Sequence, residues 1–490
     1  MKKFISLVLA FMLIVGFFSV SVSAQGDIMV MGQMRSKKLY RASATNHKQT
    51  AKNALSKYVD LDEFTVRVLS GISDCKSNID VSKYNIPTSL LDAITDYFFY
   101  GVPEAFNIEQ MGCTFYTNKN NIVDITVFYN SFADTASEYD ECYSKMVYGA
   151  EYILQDIKGN ANLNDEQKLL LLHDRLAIWN MYDYDRLETN DPIIYTAYGA
   201  LGEGASVCQG YAMAYMYLLR QVGIESYYCS SEDLCHGWNI VFLNGKKYHV
   251  DVTWDDFDTY GEVKHDNFLR SSNGIYATGH DKYDYDTTPT DTKYDSYYWQ
   301  DSNAEFQLLN NEIFYIDHND KKLKRYSDKK ALCSVDGSYS TLANDGRSLI
   351  YSSNDKIYRF DLSTNKSETI YTVQLGSDEI LCGMEYWLDE IHCMIYDFET
   401  SAYRVISQPY KYDYNDDDTG NEDDEMNVPG DSNSDGSIDN KDYALLMQYL
   451  NGWAVTIVAE SSDVNADGSI DNKDYALLMQ YLNDWDVVLR

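Results

Sequence analysis

Three short stretches hold the residue types that nucleophilic catalysis needs. Gly204-Ala205-Ser206-Val207-Cys208-Gln209-Gly210-Tyr211-Ala212 carries a thiol and Cys235-His236-Gly237-Trp238-Asn239 an imidazole. Tyr248-His249-Val250-Asp251-Val252-Thr253-Trp254-Asp255-Asp256 carries the carboxylates. A thiol is a weak nucleophile at neutral pH until its pKa is lowered, and a helix N-terminus and a nearby imidazolium both lower it. Cys208 stands where an apolar helical pattern begins, and His236 precedes the strand-like run Trp238–Leu243. Asp251 falls in the adjoining strand-like run Lys247–Val252. Antiparallel pairing of those runs would set carboxylate beside imidazole, fixing its tautomer and orientation. Singly, each signal is ordinary: a lone cysteine in an apolar helix is usually a core residue. His249 and Asp255 stand as alternatives to His236 and Asp251, and strand alternation puts His249 on the face of Asp251, as a structural neighbour. Cys235 beside His236 raises a metal reading that no CxxC pairing supports.

A second chemistry lies near the C-terminus. The 17 residues Asp435 to Asn451, DGSIDNKDYALLMQYLN, recur unchanged from Asp467 to Asn483, 32 positions on. Each copy opens with oxygen donors at alternating positions: Asp431, Asn433, Asp435, Ser437 through its carbonyl, Asp439 and Asp442, then Asp463, Asn465, Asp467, Ser469, Asp471 and Asp474. Calcium takes six to eight such oxygens at ~2.3–2.6 Å, and glycine at the sixth position permits the sharp turn. Gly436 and Gly468 are there. Magnesium resists a cage of many carboxylates, so two calcium ions are expected, with none for the thiol chemistry. Ile438 and Ile470 are expected to pair the loops through a short strand, and one helix follows each loop.

The elements that must position the thiol are legible in outline. Asn164 to Tyr182 reads as a helix, with Leu169, Leu172, Leu176 and Trp179 at helical spacing. Cys208 to Val222 is a further helix stopped by Gly223. Three strand-like runs follow, Ser226–Cys229, Trp238–Leu243 and Lys247–Val252, with the hairpin signal Asn244-Gly245 between the last two. A helix followed by an antiparallel sheet indicates an α+β domain. Upstream, Ile122–Tyr129 alternates as a strand, and Leu90–Tyr100 and Tyr139–Ile157 read as amphipathic helices. Between 305 and 410, short strands recur in pairs every 35–45 residues, which we read as a small sheet or sandwich serving as a spacer, with a binding face as the alternative. Three hairpins are too few to close a propeller ring. Lys411 to Pro429 is acidic and poor in apolar residues, a linker composition.

Composition narrows the class. Forty basic residues against 76 acidic give a net charge of −36, which argues against nucleic acid and fits divalent cations. Tyrosine is abundant, at 44, against 6 prolines. Met1-Lys2-Lys3, the apolar run Phe4–Phe18 and Val22-Ser23-Ala24 form an export leader with a mature start at Gln25. That run falls short of the ~20 residues of a spanning helix, so a secreted protein without membrane association is expected. Export permits disulfides among the nine cysteines, and Cys229 and Cys235 are near enough in sequence to pair.

Together the three catalytic stretches resemble the transglutaminase-like superfamily, whose pattern is a Cys at a helix start, a His before Trp-Asn and an Asp before Thr-Trp. The likeness runs from about 160 to 275 and takes in Leu169–Tyr184, with His173-Asp174 and Tyr182, and Phe268-Leu269. It implies an α+β papain-like/transglutaminase-like catalytic domain with Cys208 as nucleophile, His236 as general acid/base and Asp251 as the orienting carboxylate. Trp238 and Trp254 would wall the site. An oxyanion hole would use the Cys208 N–H and a second donor that the sequence does not place.

The repeat, from Val428 to about Trp485, resembles the type I dockerin family, although each loop ends in Asp rather than Glu and no helix precedes the first. That likeness implies an all-α calcium-folded module that binds a cohesin on a scaffold. Its partner-reading positions fall on Asn440, Lys441, Met447 and Gln448, and on Asn472, Lys473, Met479 and Gln480. Identical faces imply that either half docks.

The expected organisation is a signal peptide at 1–24, an N-terminal α/β subdomain at 25–160 and a catalytic domain at 161–300. A small all-β region at 301–410, an acidic linker at 411–427 and a dockerin at 428–490 complete it. The expected function is a secreted, cellulosome-type, scaffold-docked cysteine enzyme forming an acyl-enzyme on protein or peptide amides, foremost a peptidase. Protein crosslinking is the alternative within that chemistry. A non-catalytic adhesion component, or a polysaccharide-degrading one, are the alternatives outside it.

Overall fold

The structure, a computed structural model, describes residues 20–22, 28–31, 35–36, 48–116, 120–280, 288–387, 390–410, 428–434, 437–438, 440–450, 456–466, 468–470, 472–482 and 488–489. Its contacts divide the chain into two compact units, Met1–Gly383 and Met384–Arg490.

In the first unit, residues expected to form an attached subdomain and those of the catalytic region share one continuous core. That core runs from Leu55 and Phe64 through Leu169–Leu172 and Tyr211–Leu219 to Tyr315 and Tyr326. A six-stranded sheet opens the chain, built on the long pair Ile108–Tyr116 and Ile122–Tyr129. Its outermost strand, Val20–Val22, pairs with Ile28–Met31 and lies on the leader side of the expected cleavage after Ala24. Most of that leader, and the linker 411–427, lie outside the described residues.

Local signals account for the helix starts. Asn164 caps Asp165–Trp179 and exchanges hydrogen bonds with Gln167, and Thr135 does the same with Glu138 at the head of Ala136–Leu154. The expected Asn164–Tyr182 helix stops at Trp179 because the chain changes partner. Met181–Tyr182 pairs in parallel with Ala205–Ser206, which draws the segment before Cys208 against the end of this helix. Helix Cys208–Gln221 then runs through the core with every residue from Cys208 to Leu219 buried.

Strands Ser226–Ser231, His236–Leu243 and Lys246–Val250 form an antiparallel sheet. Asn244 and Gly245 both adopt positive φ, 52° and 73°, as the tight turn between the last two requires. The third strand ends at Val250, so Asp251 is not a strand residue. It is the N-cap of the short helix Val252–Asp255, because its carboxylate satisfies the N–H groups of Thr253 and Trp254. No disulfide joins Cys229 to Cys235: Cys229 is buried in a cluster with Trp238 and Ile240, whereas Cys235 lies exposed in the turn before His236.

The β-rich stretch is not one sheet. It comprises three successive antiparallel meanders, of four strands within Gln307–Ser334, four within Leu342–Thr372 and three within Glu379–Pro409. The first two share a core of Leu309, Phe314, Leu323, Leu349 and Phe360. The first also joins the main core through Tyr315 and Tyr326, whose hydroxyl donates to Glu166 at 2.9 Å. Among the described residues, no helix is long and apolar enough to cross a membrane.

Candidate active site and calcium loops

Cys208 is the first residue of its helix, and its side chain is 1% exposed. The N-cap is Val207, which offers no oxygen to the first-turn N–H groups, so their positive potential acts at the sulfur. His236 lies near enough to the thiol for a charge on the sulfur to act on its ring. Its Nε2 donates to Asp251 Oδ2 at 2.7 Å, which leaves Nδ1 for the Cys208 side. Burial disfavours the imidazolium, but Asp251 and then Cys208 outweigh it and raise the His236 pKa to about 10. Asp251 is held well below the usual carboxylate range: burial pushes it up, and His236 and His280 push it further down.

Packing explains this approach. Asn239 Nδ2 donates to the Ala212 carbonyl at 3.0 Å, pinning the His236 strand to the Cys208 helix. Gly237 lies so close to the Tyr228 hydroxyl that a Cβ would sit 2.1 Å from it, so no larger residue fits between His236 and Trp238. Burial holds the Tyr228 phenol protonated, well above its ordinary pKa, with the Cys208 charge adding to that.

Trp238 is buried and stacks 5.6 Å from the His236 ring, whereas Trp254, at 5.0 Å, is 38% exposed. The expected wall therefore has one inner face and one outer face. His249 is turned away from the thiol. Its Nδ1 accepts from Trp238 Nε1 at 3.0 Å, and burial lowers its pKa to about 3, so it braces the tryptophan as a neutral ring.

Asp255 belongs to a second buried cluster. His173 Nε2 lies 3.2 Å from Asp255 Oδ2 and its Nδ1 2.8 Å from Asp174 Oδ1, an oxygen that also accepts from His265 Nε2 at 3.0 Å. Asn267 donates to Asp255, Phe306 N–H donates to Asp174, and His265 Nδ1 meets the Ser302 carbonyl. Burial alone would lower the His173 pKa, yet the two carboxylates raise it to about 9. The helix Val252–Asp255 thus carries one carboxylate at each end, Asp251 for the thiol site and Asp255 for this cluster. The donor atoms of His173, Asp174 and His265, and those of His236, Asp251 and His280, lie within 4.8 Å of one another. Hydrogen bonding accounts for both groupings.

Sequence reasoning missed His265, Asn267 and His280. None carries a local motif, and His280 reaches Asp251 from 29 residues away.

In the second unit the two repeats become the helices Asn440–Leu450 and Asn472–Leu482. Tyr443 and Tyr475 stack at 4.2 Å, joining them. Asp442 and Asp474, fully buried, accept the N–H groups of Asn433 and Asn465 at 3.0 and 3.1 Å, which closes each loop on its last expected ligand. Asp431 is buried as well, and Asp463 accepts from Gly468 N–H at 2.8 Å. Buried carboxylates gathered on short acidic loops are a hard-oxygen donor set that fits calcium. Ser437 and Ser469 lie on the loops, whereas Asp435, Gly436, Asp439, Asp467 and Asp471 lie outside the described residues. Ile438 and Ile470 are not in strands. The expected partner-reading positions Asn440, Lys441, Met447, Gln448, Asn472, Lys473, Met479 and Gln480 fall on the two helices, with Lys473 exposed.

Residues 429–483 match the dockerin type I domain family, so the C-terminal module is a type I dockerin. Domains of that family bind calcium and cohesin modules. Among solved structures, the chain is similar to one described as the crystal structure of a TGase, at 13% identity and a TM-score of 0.22, over 34% of this chain and 47% of that one. It is also similar to PorZ, a bacterial surface component of the type-IX secretion system of Porphyromonas gingivalis, at 10% identity and a TM-score of 0.16, over 36% and 20%. The chain thus spans about half the length of the first and a fifth of the second. No curated protein sequence matches it.

Proposed function

We propose that the first unit is an exported cysteine enzyme that forms an acyl-enzyme on protein or peptide amides and passes the acyl group to water, acting as a peptidase. One observation carries this reading: Cys208 heads a helix with His236 close by, and the His236 Nε2 lies 2.7 Å from Asp251 Oδ2. In that arrangement the His236 imidazolium stabilises the thiolate. Cys208 Sγ attacks the amide carbonyl, His236 returns its proton to the leaving amine, and water then cleaves the thioester with His236 as base. Asp251 holds the ring in register throughout. Trp238 and Trp254 flank the approach, and the partial exposure of Trp254 marks the side open to substrate.

Incubating the protein with casein, with and without a fluorescent primary amine, tests this against a Cys208→Ala variant. Cys208-dependent fragments support the peptidase, and Cys208-dependent amine incorporation moves the reading to a crosslinking transglutaminase. Equal products from both proteins overturn the acyl-enzyme altogether.

The dockerin fastens this enzyme to a cohesin of an extracellular, cellulosome-type scaffold. Calcium would be held by Asp431, Asn433, Asp435, Ser437, Asp439 and Asp442, and by Asp463, Asn465, Asp467, Ser469, Asp471 and Asp474. It supplies folding free energy to the module and no step of the acyl transfer. Chelation should abolish cohesin binding and the module's helical signal while the thiol activity persists.

A further inference from the structure

We propose that His280 is a positioning residue for the Cys208–His236 pair, acting through Asp251; this rests on the acyl-transfer reading above. His280 Nε2 lies 2.7 Å from Asp251 Oδ2, the same oxygen that His236 uses at the same distance. The other carboxylate oxygen, Oδ1, accepts from the N–H groups of Thr253 and Trp254. Four donors therefore converge on one carboxylate, and rotating it would break all four bonds. Without His280, Oδ2 has His236 as its sole side-chain donor, and a carboxylate that swings carries the imidazole with it.

The chain is shaped to deliver this ring. Helix Ser272–Ala277 ends in a turn where the His280 N–H bonds the Ile275 carbonyl at 3.2 Å. Gly279 has a φ of 107° and lies against the Trp254 ring, where a Cβ would come within 3.4 Å. His280 then sits between the two wall tryptophans, with ring centroids 3.9 Å from Trp254 and 4.9 Å from Trp238. Its Nδ1 faces Thr278 Oγ1 at 3.4 Å, and the side chain is fully buried. Its ring bonds Asp251 and packs against both tryptophans, so its effect passes through them.

The arrangement also balances charge. The working pair is a thiolate and an imidazolium backed by a buried carboxylate, which leaves an excess negative charge in a poorly solvated place. A second N–H donor on Asp251 offsets that charge without competing for the thiol. The titratable groups facing His280 are Asp251, His249, whose charged form it disfavours, and, at 5.6 Å between centroids, His236.

The test compares His280→Gln, which keeps an N–H donor of similar reach, with His280→Met, of similar shape but no donor. The expectation is a His280→Met kcat lower by ~10- to 100-fold, a KM within about twofold and a matching loss in the rate of Cys208 alkylation by iodoacetamide. His280→Gln should restore kcat to within about threefold of the parent. Equal losses in both variants would reduce His280 to a space-filling ring, and no loss in either would remove it from the mechanism; each outcome overturns the proposal. If His280→Met does not fold, His280→Asn, too short to reach Oδ2, takes its place with the same expectation. A Cys208→Ala protein that keeps activity defeats the acyl-transfer reading itself, whereas its loss alongside a fully active His280→Met defeats the His280 assignment alone.

Discussion

Two buried clusters of histidine and aspartate lie in the first unit, and they are built alike. In each, one carboxylate oxygen takes the Nε2 of a histidine from a distant segment: Asp251 takes His280 and Asp174 takes His265. In each, a second histidine bonds the same oxygen, His236 in one and His173 in the other. They differ in what the second histidine meets beyond. His173 meets another carboxylate, Asp255, itself bonded by Asn267, so the chain of bonds ends on buried protein groups on both sides. His236 meets a sulfur at a helix N-terminus beside a half-exposed tryptophan. On the acyl-transfer reading proposed above, the same motif is a clamp when both ends find fixed partners and a reactive centre when one end is a thiol at a helix N-terminus. On that reading, reactivity comes from what the network leaves unfinished.

The comparison breaks most sharply at the sulfur. Cys208→Ala should lower turnover by about 10⁴-fold or more while shifting stability by about 1 kcal/mol or less, measured by amide cleavage and urea unfolding. An active alanine variant would erase the distinction between the clusters. Asp251→Asn comes next, with a kcat loss on the order of 10³- to 10⁴-fold, because the amide misorients His236. If its activity stays within tenfold of the parent, the orienting role fails.

Asp174→Ala reverses the balance. It strips His173 and His265 of their shared acceptor, and a stability loss of ~3–5 kcal/mol is expected in urea unfolding, while the folded fraction keeps its rate of Cys208 alkylation. A stable Asp174→Ala would show that the second cluster is no clamp. The smallest effect is a pH dependence. The His173 pKa is raised to about 9 in the fold, from an ordinary value near 6.5. A raised pKa means that the folded state binds the proton more tightly, so this contribution is full below pH ~6.5 and is lost as pH rises through about 9. The stability gap between the parent and His173→Gln should narrow over that interval, and a gap constant from pH 6 to 10 would contradict it. Activity should fall at higher pH, through about 10, where His236 loses its proton.

The sequence by itself determined the parts whose chemistry is local. A calcium loop draws its ligands from a dozen consecutive residues, so type and spacing were enough to point to a dockerin, and residues 429–483 match that family. The run from Asn164 marked a helix start, and Asn244-Gly245 marked the turn that aligns His236–Leu243 with Lys246–Val250. Those signals reach only a few residues. What lay beyond them was settled by packing. Asp251 read as a strand residue because its neighbours alternate, yet the fold makes it a helix cap with four donors. Cys229 and Cys235 are near in sequence but separated by burial, and the short strands of 305–410, read as a small sheet or sandwich, sort into three sheets. His265 and His280 carry no motif because their partners, Asp174 and Asp251, lie 91 and 29 residues away. Only a closed core brings such groups to hydrogen-bonding distance, and burial makes each bond so formed costly to break.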